Sequence, residues 1–536
     1  MQRYLLLLLA STFPAQILAQ ISFEDITQSP NQNWLTYAGD YKGRGLSPLT
    51  QITPANAQNL TPKWTFNVPK AKGLRARPIV ADGVMYYTNT NAIFAIDARS
   101  GRPIWQYIDT LAKKEAVNRG AAILGNQVYF VTSDCFLVSL DRRTGGVAWR
   151  KQYGNIKDGT FCTAAPVAIQ GKIIVGTAGG DEGMRGYLAA LDASTGQELW
   201  RTYTVPVRGE PGSETWGNFI EYGGASTWLS GTYEPETDTL FWTTGNPWPD
   251  FYGGDRKGDN LYSCSLLALD AKTGKMKWYF QFTPGDWHDW DAQSWPVLAD
   301  VQYEGKPRKV VFHANRNGFL YLLDRETGQY LRASKLIENL DWASGIDPKG
   351  RPISVPGKDP TPEGNRVCPG VRGATNWMSQ SYNPVTGLLS VVVLEQCDVY
   401  TSSSKSPEPH TNFAGGGGGP KPNEPGRFFV RAYNPLTGER KWQYPMTGKG
   451  EMWAGLTGTV TGILFAGDDD GHLIAIDAQS GRHLWHYQMG DNVYSSPITY
   501  MVDGKQYVAI ATATSIFSFG LFEPIQSIPV PPMRIR

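Results

Sequence analysis

The stretch Ala95-Ile96-Asp97-Ala98-Arg99-Ser100-Gly101-Arg102-Pro103-Ile104-Trp105 sets the reading of the whole chain, because its pattern returns. The pattern is a small or apolar pair, Asp or Asn, two residues, Ser/Thr-Gly, three residues and Trp. It recurs from Ser139 to Trp149, Ala190 to Trp200, Ala268 to Trp278, Ala432 to Trp442 and Ala475 to Trp485. Two weaker copies, around Asp324 and Asn383, keep Thr327-Gly328 and Thr386-Gly387 but lack the Trp, which makes eight. Each copy reads as a hairpin: a strand ends at Asp or Asn, whose side chain closes an Asx turn, Gly takes the left-handed position, and the next strand presents Trp.

Apolar alternation before the copies, as in Tyr129-Phe130-Val131 and Ile173-Ile174-Val175, supplies the remaining strands of each unit. Four-stranded units repeated every 43–59 residues, none able to bury both faces alone, close radially. The expected fold is therefore all-β, an eight-bladed propeller over residues 20–520; an open stack or a two-sheet sandwich array is the alternative. One interval, from Asp192 to Asp270, is 78 residues long and must carry an insertion, which directs attention to residues 200–265. Residues 403–426, with Gly415 to Gly419, read as a second, flexible excursion.

Composition agrees. The 536 residues contain 59 Gly, 36 Pro, 18 Trp and 26 Tyr but only 18% charged side chains, a profile of short strands, turns and aromatic packing that excludes a mostly helical protein. Fifty basic against 49 acidic residues leave a net charge of +1, so no global field draws the chain to nucleic acid or an anionic membrane. Residues 1–19, with Arg3 ahead of the apolar run Leu5 to Ala10 and a small residue at Ala19, read as an export signal; 521–536 read as a C-terminal tail. The five cysteines fit an oxidising compartment, and the lack of a C-x-x-C-H motif rules out covalent c-type haem on these residues.

The six histidines are scattered, so carboxylates are the better place to look for chemistry. Thr283-Pro284-Gly285-Asp286-Trp287-His288-Asp289-Trp290-Asp291 places three Asp among aromatic rings. Asp289 and Asp291, two apart, share a face on an extended strand, and two like charges side by side call for a shared proton or a hard, oxygen-liking cation. Asn246, in Thr244-Gly245-Asn246-Pro247, and Asp181-Glu182 each follow an apolar strand outside the repeated turns. Taken singly, each reads as a turn former.

Together these residues resemble the quinoprotein alcohol dehydrogenases, the methanol and ethanol dehydrogenases of bacterial periplasms that use pyrroloquinoline quinone (PQQ). The resemblance runs from about Asn33-Trp34 to about Gly520. It implies an eight-bladed propeller with PQQ over the central axis beside a metal ion. The family's Gly-Ala-Glu-x-Gly-x-Arg-Gly aligns with Gly179-Gly180-Asp181-Glu182-Gly183-Met184-Arg185-Gly186, which makes Asp181 a metal ligand one methylene shorter than usual, with Glu182 in reserve. Thr-Gly-Asn-Pro makes Asn246 the amide ligand. Thr-Pro-x-Asp-x-x-Asp matches Thr283 to Asp289, so Asp289 is implied to be both metal ligand and catalytic base, and Asp291 stands where lanthanide-using relatives carry an additional acid.

For the cofactor, the resemblance implies Arg119 in Val117-Asn118-Arg119-Gly120, Thr163, Gly179 and Gly180, and Trp228 as the floor under the ring with Ser226 beside it. Arg316 falls near the quinone oxygens, and Asn376-Trp377 and Trp453 complete the pocket. Cys368 and Cys397 match a structural disulfide; the pairing of Cys135 with Cys162 stays open, and Cys264 is left free. One departure stands out: Lys113-Lys114 occupy the place of the adjacent cysteines that relatives join over the quinone.

The implied activity is periplasmic oxidation of an alcohol to an aldehyde. A cation would polarise the quinone, Asp289 would take the alcohol proton and Arg316 would stabilise the developing oxyanion. Asp291 tilts the metal toward a lanthanide over calcium, and the short Asp181 works against that. Electrons would pass to a separate protein, a soluble cytochrome c. Two other readings are a cofactor-free scaffold for envelope assembly and a glycosidase with Asp289 in an acid pair. The bulky Trp287 and Trp290 are expected at the substrate mouth.

Overall fold

A computed structural model describes residues 20–28, 31–217, 221–254, 256–403, 405, 408, 410–420, 424–448 and 453–523. The expected export signal over 1–19 and the tail beyond Glu523 lie outside them.

Among the described residues there are eight sheets of four or more strands, antiparallel throughout except where the short Leu46–Ser47 pairs parallel with Leu456–Thr459. The first runs Ile79–Ala81, Val84–Asn89, Ala92–Asp97 and Pro103–Ile108, and the next four follow the same chain order from Ala122–Leu124 to Tyr330–Lys335. In each of these sheets the first three strands carry most of the buried residues and the fourth alternates toward solvent, as in Pro103–Ile108. The sixth is built from Ser381–Asn383, Leu388–Glu395, Arg427–Tyr433 and Arg440–Pro445, and the seventh runs from Leu456–Thr459 to His483–Gln488. In the eighth, Ile498–Val502, Lys505–Ala511 and Ser515–Leu521 take their outer strand from the other end of the chain: Leu60–Asn67 pairs antiparallel with Ser515–Leu521. The first and last parts of the chain thus share one blade and close the ring.

The Trp of the repeat joins neighbouring blades. Trp105 donates its indole N–H to the carbonyl of Arg142 at 3.0 Å, Trp149 to Ala193 at 3.2 Å, Trp200 to Ala271 at 3.2 Å and Trp442 to Ala478 at 3.1 Å. Each acceptor follows the repeat Asp of the next blade. The same rings lie over the turn glycines Gly145, Gly196, Gly274 and Gly481, where an added Cβ would fall 2.6–2.7 Å from the indole. Gly therefore meets two demands, the left-handed turn and room for the neighbour's ring. Trp64, outside the repeat, does the same across the closure, donating to Ala98 at 2.9 Å and covering Gly101.

The count of eight repeats needs a correction even though the count of sheets agrees with it. The copy at Asn383 lies between the first and second strands of the sixth sheet, not between its third and fourth, where Asn434 sits. The eighth sheet has no copy, because its outer strand is the distant Leu60–Asn67 and no hairpin is needed. The glycine run also differs from expectation: Gly416–Pro420 is a strand paired with Asp398–Ser402. Cys135–Cys162 and Cys368–Cys397 are both disulfides, and Cys264 is a buried free thiol.

Candidate active site

Because strands alternate in direction, the loop entering a blade's first strand and the loop joining its second and third emerge at the same rim, opposite the repeat hairpins. The implied site residues all occupy these two kinds of loop. Arg119, Thr163, Ser226, Trp228, Asp289, Asp291, Asn376 and Trp453 precede first strands; Gly179, Gly180, Asp181, Asn246 and Arg316 lie between second and third strands. Residues scattered over more than 330 positions thereby converge on one cavity of about 320 Å³. Every one of them lines it except Asn246, which lies directly behind Gly180 and Asp291.

One side of the cavity is basic. Arg119 is 5% exposed, its guanidinium lies 4.6 Å from the centre of the Trp228 ring and 5.3 Å from that of Trp377, and its Nε and Nη1 have no hydrogen-bond partner among the described residues. Burial and the adjacent charge of Arg75 push its pKa down to about 9, so this guanidinium sits where nothing nearby balances it fully. Thr163 donates to the Trp228 carbonyl at 3.0 Å, and Trp377 and Trp453 stack at 6.2 Å with 16° between planes. Asn376 is fixed at both ends, donating to the Arg372 carbonyl and accepting from the Trp377 N–H. At Gly179 and Gly180 a side chain would meet the Gly159 carbonyl at 2.0 Å and the Ser226 hydroxyl at 2.9 Å, so only glycine lets this wall close.

The other side is acidic. Arg316 donates through Nη1 to Asp291 at 2.8 Å and through Nη2 to Asp289 at 3.3 Å. The two acids do face one group, but not from a strand as their spacing implied: Asp289-Trp290-Asp291 is loop, with Asp289 at φ 58°. Asp291 also accepts from Trp228 Nε1 at 3.0 Å and from the Asn246 backbone N–H at 2.5 Å. Loss of solvation raises the pKa of Asp289 and Asp291, with Arg316 pulling against it. Asp181 is solvent-exposed on the cavity wall, and partial loss of solvation, then the charge of Asp291, raises its pKa to about 6. Acids held above their usual range by loss of solvation, and secondarily by neighbouring carboxylates, favour a cation among them.

Asp181, not Glu182, faces the cavity. Glu182 turns to Lys114, whose ammonium lies 2.8 Å from its carboxylate and 4.3 Å from the centre of the Phe161 ring, itself a wall of the cavity. The lysine pair thus contributes an ion pair and a cation–π contact beside the pocket. Trp290 departs from expectation: it is fully buried, donates to the Gly370 carbonyl and the Tyr400 hydroxyl at 3.1 Å, and belongs to the core rather than the mouth. Asp286 is a turn former, accepting the backbone N–H of His288 and Trp290.

Sequence reasoning missed Arg75, Phe161 and Asp250. Arg75 had one signal, the Arg75-x-Arg77 pair in a charge-poor chain; Arg77 goes the other way, 4.8 Å from the centre of the Trp34 ring. Asp250 had none, since it takes its place only when the loop after Asn246 folds back.

A protein-family model described as a glucose/ethanol/alcohol dehydrogenase PQQ β-propeller domain matches residues 34–334 and 446–508. The quinoprotein alcohol dehydrogenase PedH of Pseudomonas putida is 35% identical over 529 residues, covering 92% of this chain and 88% of its own. Among solved structures, the quinohemoprotein alcohol dehydrogenase ADHIIG of Pseudomonas putida HK5 superposes with a TM-score of 0.89 at 32% identity, covering 95% of this chain and 83% of its own. A europium-containing methanol dehydrogenase gives 0.86 at 27% identity, covering 93% and 100%. With this match over most of its length, and with the basic and acidic walls meeting in one cavity, the chain belongs to the PQQ β-propeller family of quinoprotein alcohol dehydrogenases.

Proposed function

We propose that the protein oxidises an alcohol to an aldehyde at PQQ held beside a metal ion in this cavity. The observation that carries the reading is the pairing, in one pocket, of a buried arginine with unpartnered N–H groups and a set of mutually repelling carboxylates. PQQ is flat and tricarboxylic, and the residues present fit it: Arg119 and Arg75 offer positive charge to its carboxylates, Trp228 a planar aromatic wall, and Gly179-Gly180 a close backbone approach. Among the described residues no three acidic, histidine or cysteine side chains converge tightly enough to hold an ion alone. A metal would therefore draw on Asp181, Asp289 and the Asn246 amide oxygen together with oxygens of the bound cofactor.

When bound, the quinone supplies a two-electron hydride acceptor and the ion the Lewis acidity that polarises it. Of the two acids paired with Arg316, Asp289, with 24% of its side chain exposed against 5% for Asp291, is the one that a substrate entering from solvent can reach, and it takes the alcohol proton. Arg316 orients that carboxylate and offers its charge to oxyanion character developing nearby. Asp291, engaged by Trp228, Arg316 and Asn246, holds the three in register and adds negative charge that favours an ion of higher charge. We read the metal as a lanthanide in preference to calcium, the protein as exported to the periplasm and the electron acceptor as a soluble cytochrome c; among the described residues no helix is long and apolar enough to cross a membrane.

A scaffold gains nothing from an uncompensated buried arginine, and a glycosidase has no use for the basic wall. Reconstitution with PQQ and either calcium or lanthanum, followed by an assay with an alcohol and an artificial electron acceptor, tests the proposal: turnover requiring both additions supports it, and absence of turnover with every metal and alcohol class removes it.

A further inference from the structure

Asn246 is 1% exposed and Asp250 4% exposed, and they meet through a bond that no motif announces: Asn246 Nδ2 donates to Asp250 Oδ1 at 2.7 Å. The same nitrogen lies 3.4 Å from the Pro247 carbonyl. With the amide nitrogen engaged by these acceptors, the other end of the carboxamide, Oδ1, is turned toward Gly180, the residue before Asp181. A carboxamide is nearly symmetric in shape, so only its hydrogen-bond partners decide which end faces a cation. Asp250 is the nearer of the two acceptors of Nδ2, and a rigid frame holds it.

The frame is visible on both sides of the Pro249–Tyr252 loop. Arg256, 1% exposed, donates through Nη2 to the carbonyls of Pro249 at 2.9 Å and Asp286 at 2.8 Å, tying the loop after Asn246 to the loop that carries Asp289 and Asp291. From the other side, the backbone N–H of Phe251 donates to the Ala414 carbonyl at 2.8 Å. Gly415 packs so closely on Tyr252 that a Cβ there would fall 2.6 Å from the tyrosine Cβ. The glycine-rich excursion thus presses on the loop that bears Asp250.

We infer that Asp250 is a positioning residue for the metal: by accepting from Asn246 Nδ2 it fixes the amide oxygen as the ligating end. The inference rests on the proposed metal site, and partners that orient ligands in this way are typically worth about 10- to 100-fold in metal affinity. The test uses the full chain with PQQ bound and titrates terbium, following luminescence sensitised by the protein's tryptophans, with calcium competing. The melting temperature of the metal-free protein is followed alongside.

Asp250→Ala is expected to weaken terbium binding about tenfold or more while metal-free melting changes little. Asp250→Asn keeps an oxygen that can accept from Nδ2, and is expected to retain most of the affinity. Equal, large losses in both variants would show that the charge of Asp250 matters and its hydrogen bond does not, which overturns the inference. So would wild-type affinity in Asp250→Ala. Should Asp250→Ala fail to fold, Asp250→Asn with Asn246→Ala decides: Asn246→Ala must lose at least tenfold and Asp250→Asn must not. Wild-type protein that binds no terbium overturns the metal site itself and the inference with it, an outcome distinct from the others.

Discussion

Trp228 donates its indole N–H to Asp291 Oδ2 at 3.0 Å, so the aromatic wall of the cavity and its acidic side are one bonded unit. Asp291 extends that unit to Arg316 and to the backbone of Asn246. A change at Asp291 therefore reaches the ring wall, the arginine and the candidate metal ligand together, whereas a change at Asp289 reaches the arginine alone.

Asp289→Ala is expected to abolish alcohol oxidation while leaving PQQ bound. General-base removal typically costs 10²–10⁴-fold in rate. The cofactor's visible absorption, retained after gel filtration, confirms occupancy, and turnover surviving within tenfold of wild type would move the base to another residue.

Asp291→Asn keeps the shape of the side chain and removes its charge. We expect lower activity with every metal and a larger loss with lanthanum than with calcium, since a trivalent ion gains more from each nearby carboxylate. The ratio of the two activities is the measurement; an unchanged ratio would leave Asp291 as an organiser of Trp228 and Arg316 without influence on the choice of ion.

Arg119→Met separates stability from function. The guanidinium is buried beside Arg75 with two unpartnered N–H groups, so its removal relieves an uncompensated charge in the empty protein. The melting temperature of cofactor-free protein is expected to hold or rise, while the apparent Kd for PQQ rises at least about tenfold, as the loss of a charge-assisted pair implies. A parallel fall in both quantities would make Arg119 a structural residue.

How much of this was legible follows from what the residues do. The repeat was readable because each copy performs one local task, a hairpin turn, and local tasks leave local patterns. Its count agreed with the sheets through two offsetting differences: Asn383 resembles the repeat by making a similar turn elsewhere, and ring closure by Leu60–Asn67 erases the copy that the last blade would need. Arg119, Asp181, Trp228 and Arg316 could be named because motif resemblance carries positions across a shared ring of loops. Asp250 and the Lys114–Glu182 pair could not, since their partners lie 4 and 68 positions away along loops whose paths no periodicity describes. Trp290 misled because an aromatic beside a catalytic acid looks alike whether it faces the substrate or the core.

The acids make stability of the metal-free protein depend on pH. Asp181, Asp250, Asp289 and Asp291 all have pKa values raised in the folded state, Asp181 to about 6, through loss of solvation and repulsion by one another. A raised acid binds more protons folded than unfolded, so stability is highest when the group is protonated and falls as pH climbs from about 4 through the folded value. As pH rises from 5 to 7.5 the melting temperature of metal-free protein is therefore expected to fall relative to that of protein saturated with calcium or lanthanum, a comparison in which the opposite trend from the buried His288 and His313, whose pKa values are lowered, cancels. A difference that does not change with pH would mean that the four carboxylates do not share a field.

Closure of the ring can be tested away from the cavity. Trp64 and Trp105 make the same contact, an indole N–H on the carbonyl after the next blade's Asp and a ring over its turn glycine, but Trp64 makes it between the last blade and the first. Replacing the buried Trp64 by Ala is expected to cost about 3–5 kcal/mol, and replacing the half-buried Trp105 less. The two are expected to differ in kind. Trp105→Ala weakens a joint between blades that are also joined by continuous chain, so the protein should still unfold in one step at lower denaturant. Trp64→Ala weakens the joint next to the seam where the two ends of the chain pair, Leu60–Asn67 with Ser515–Leu521, a joint that Tyr500 also ties by donating to the Ala98 carbonyl at 2.7 Å. Hydrogen exchange should then rise first in those two strands, well below the denaturant concentration that unfolds the other blades. Uniform exchange across all eight blades in Trp64→Ala would show that the ring opens nowhere in particular.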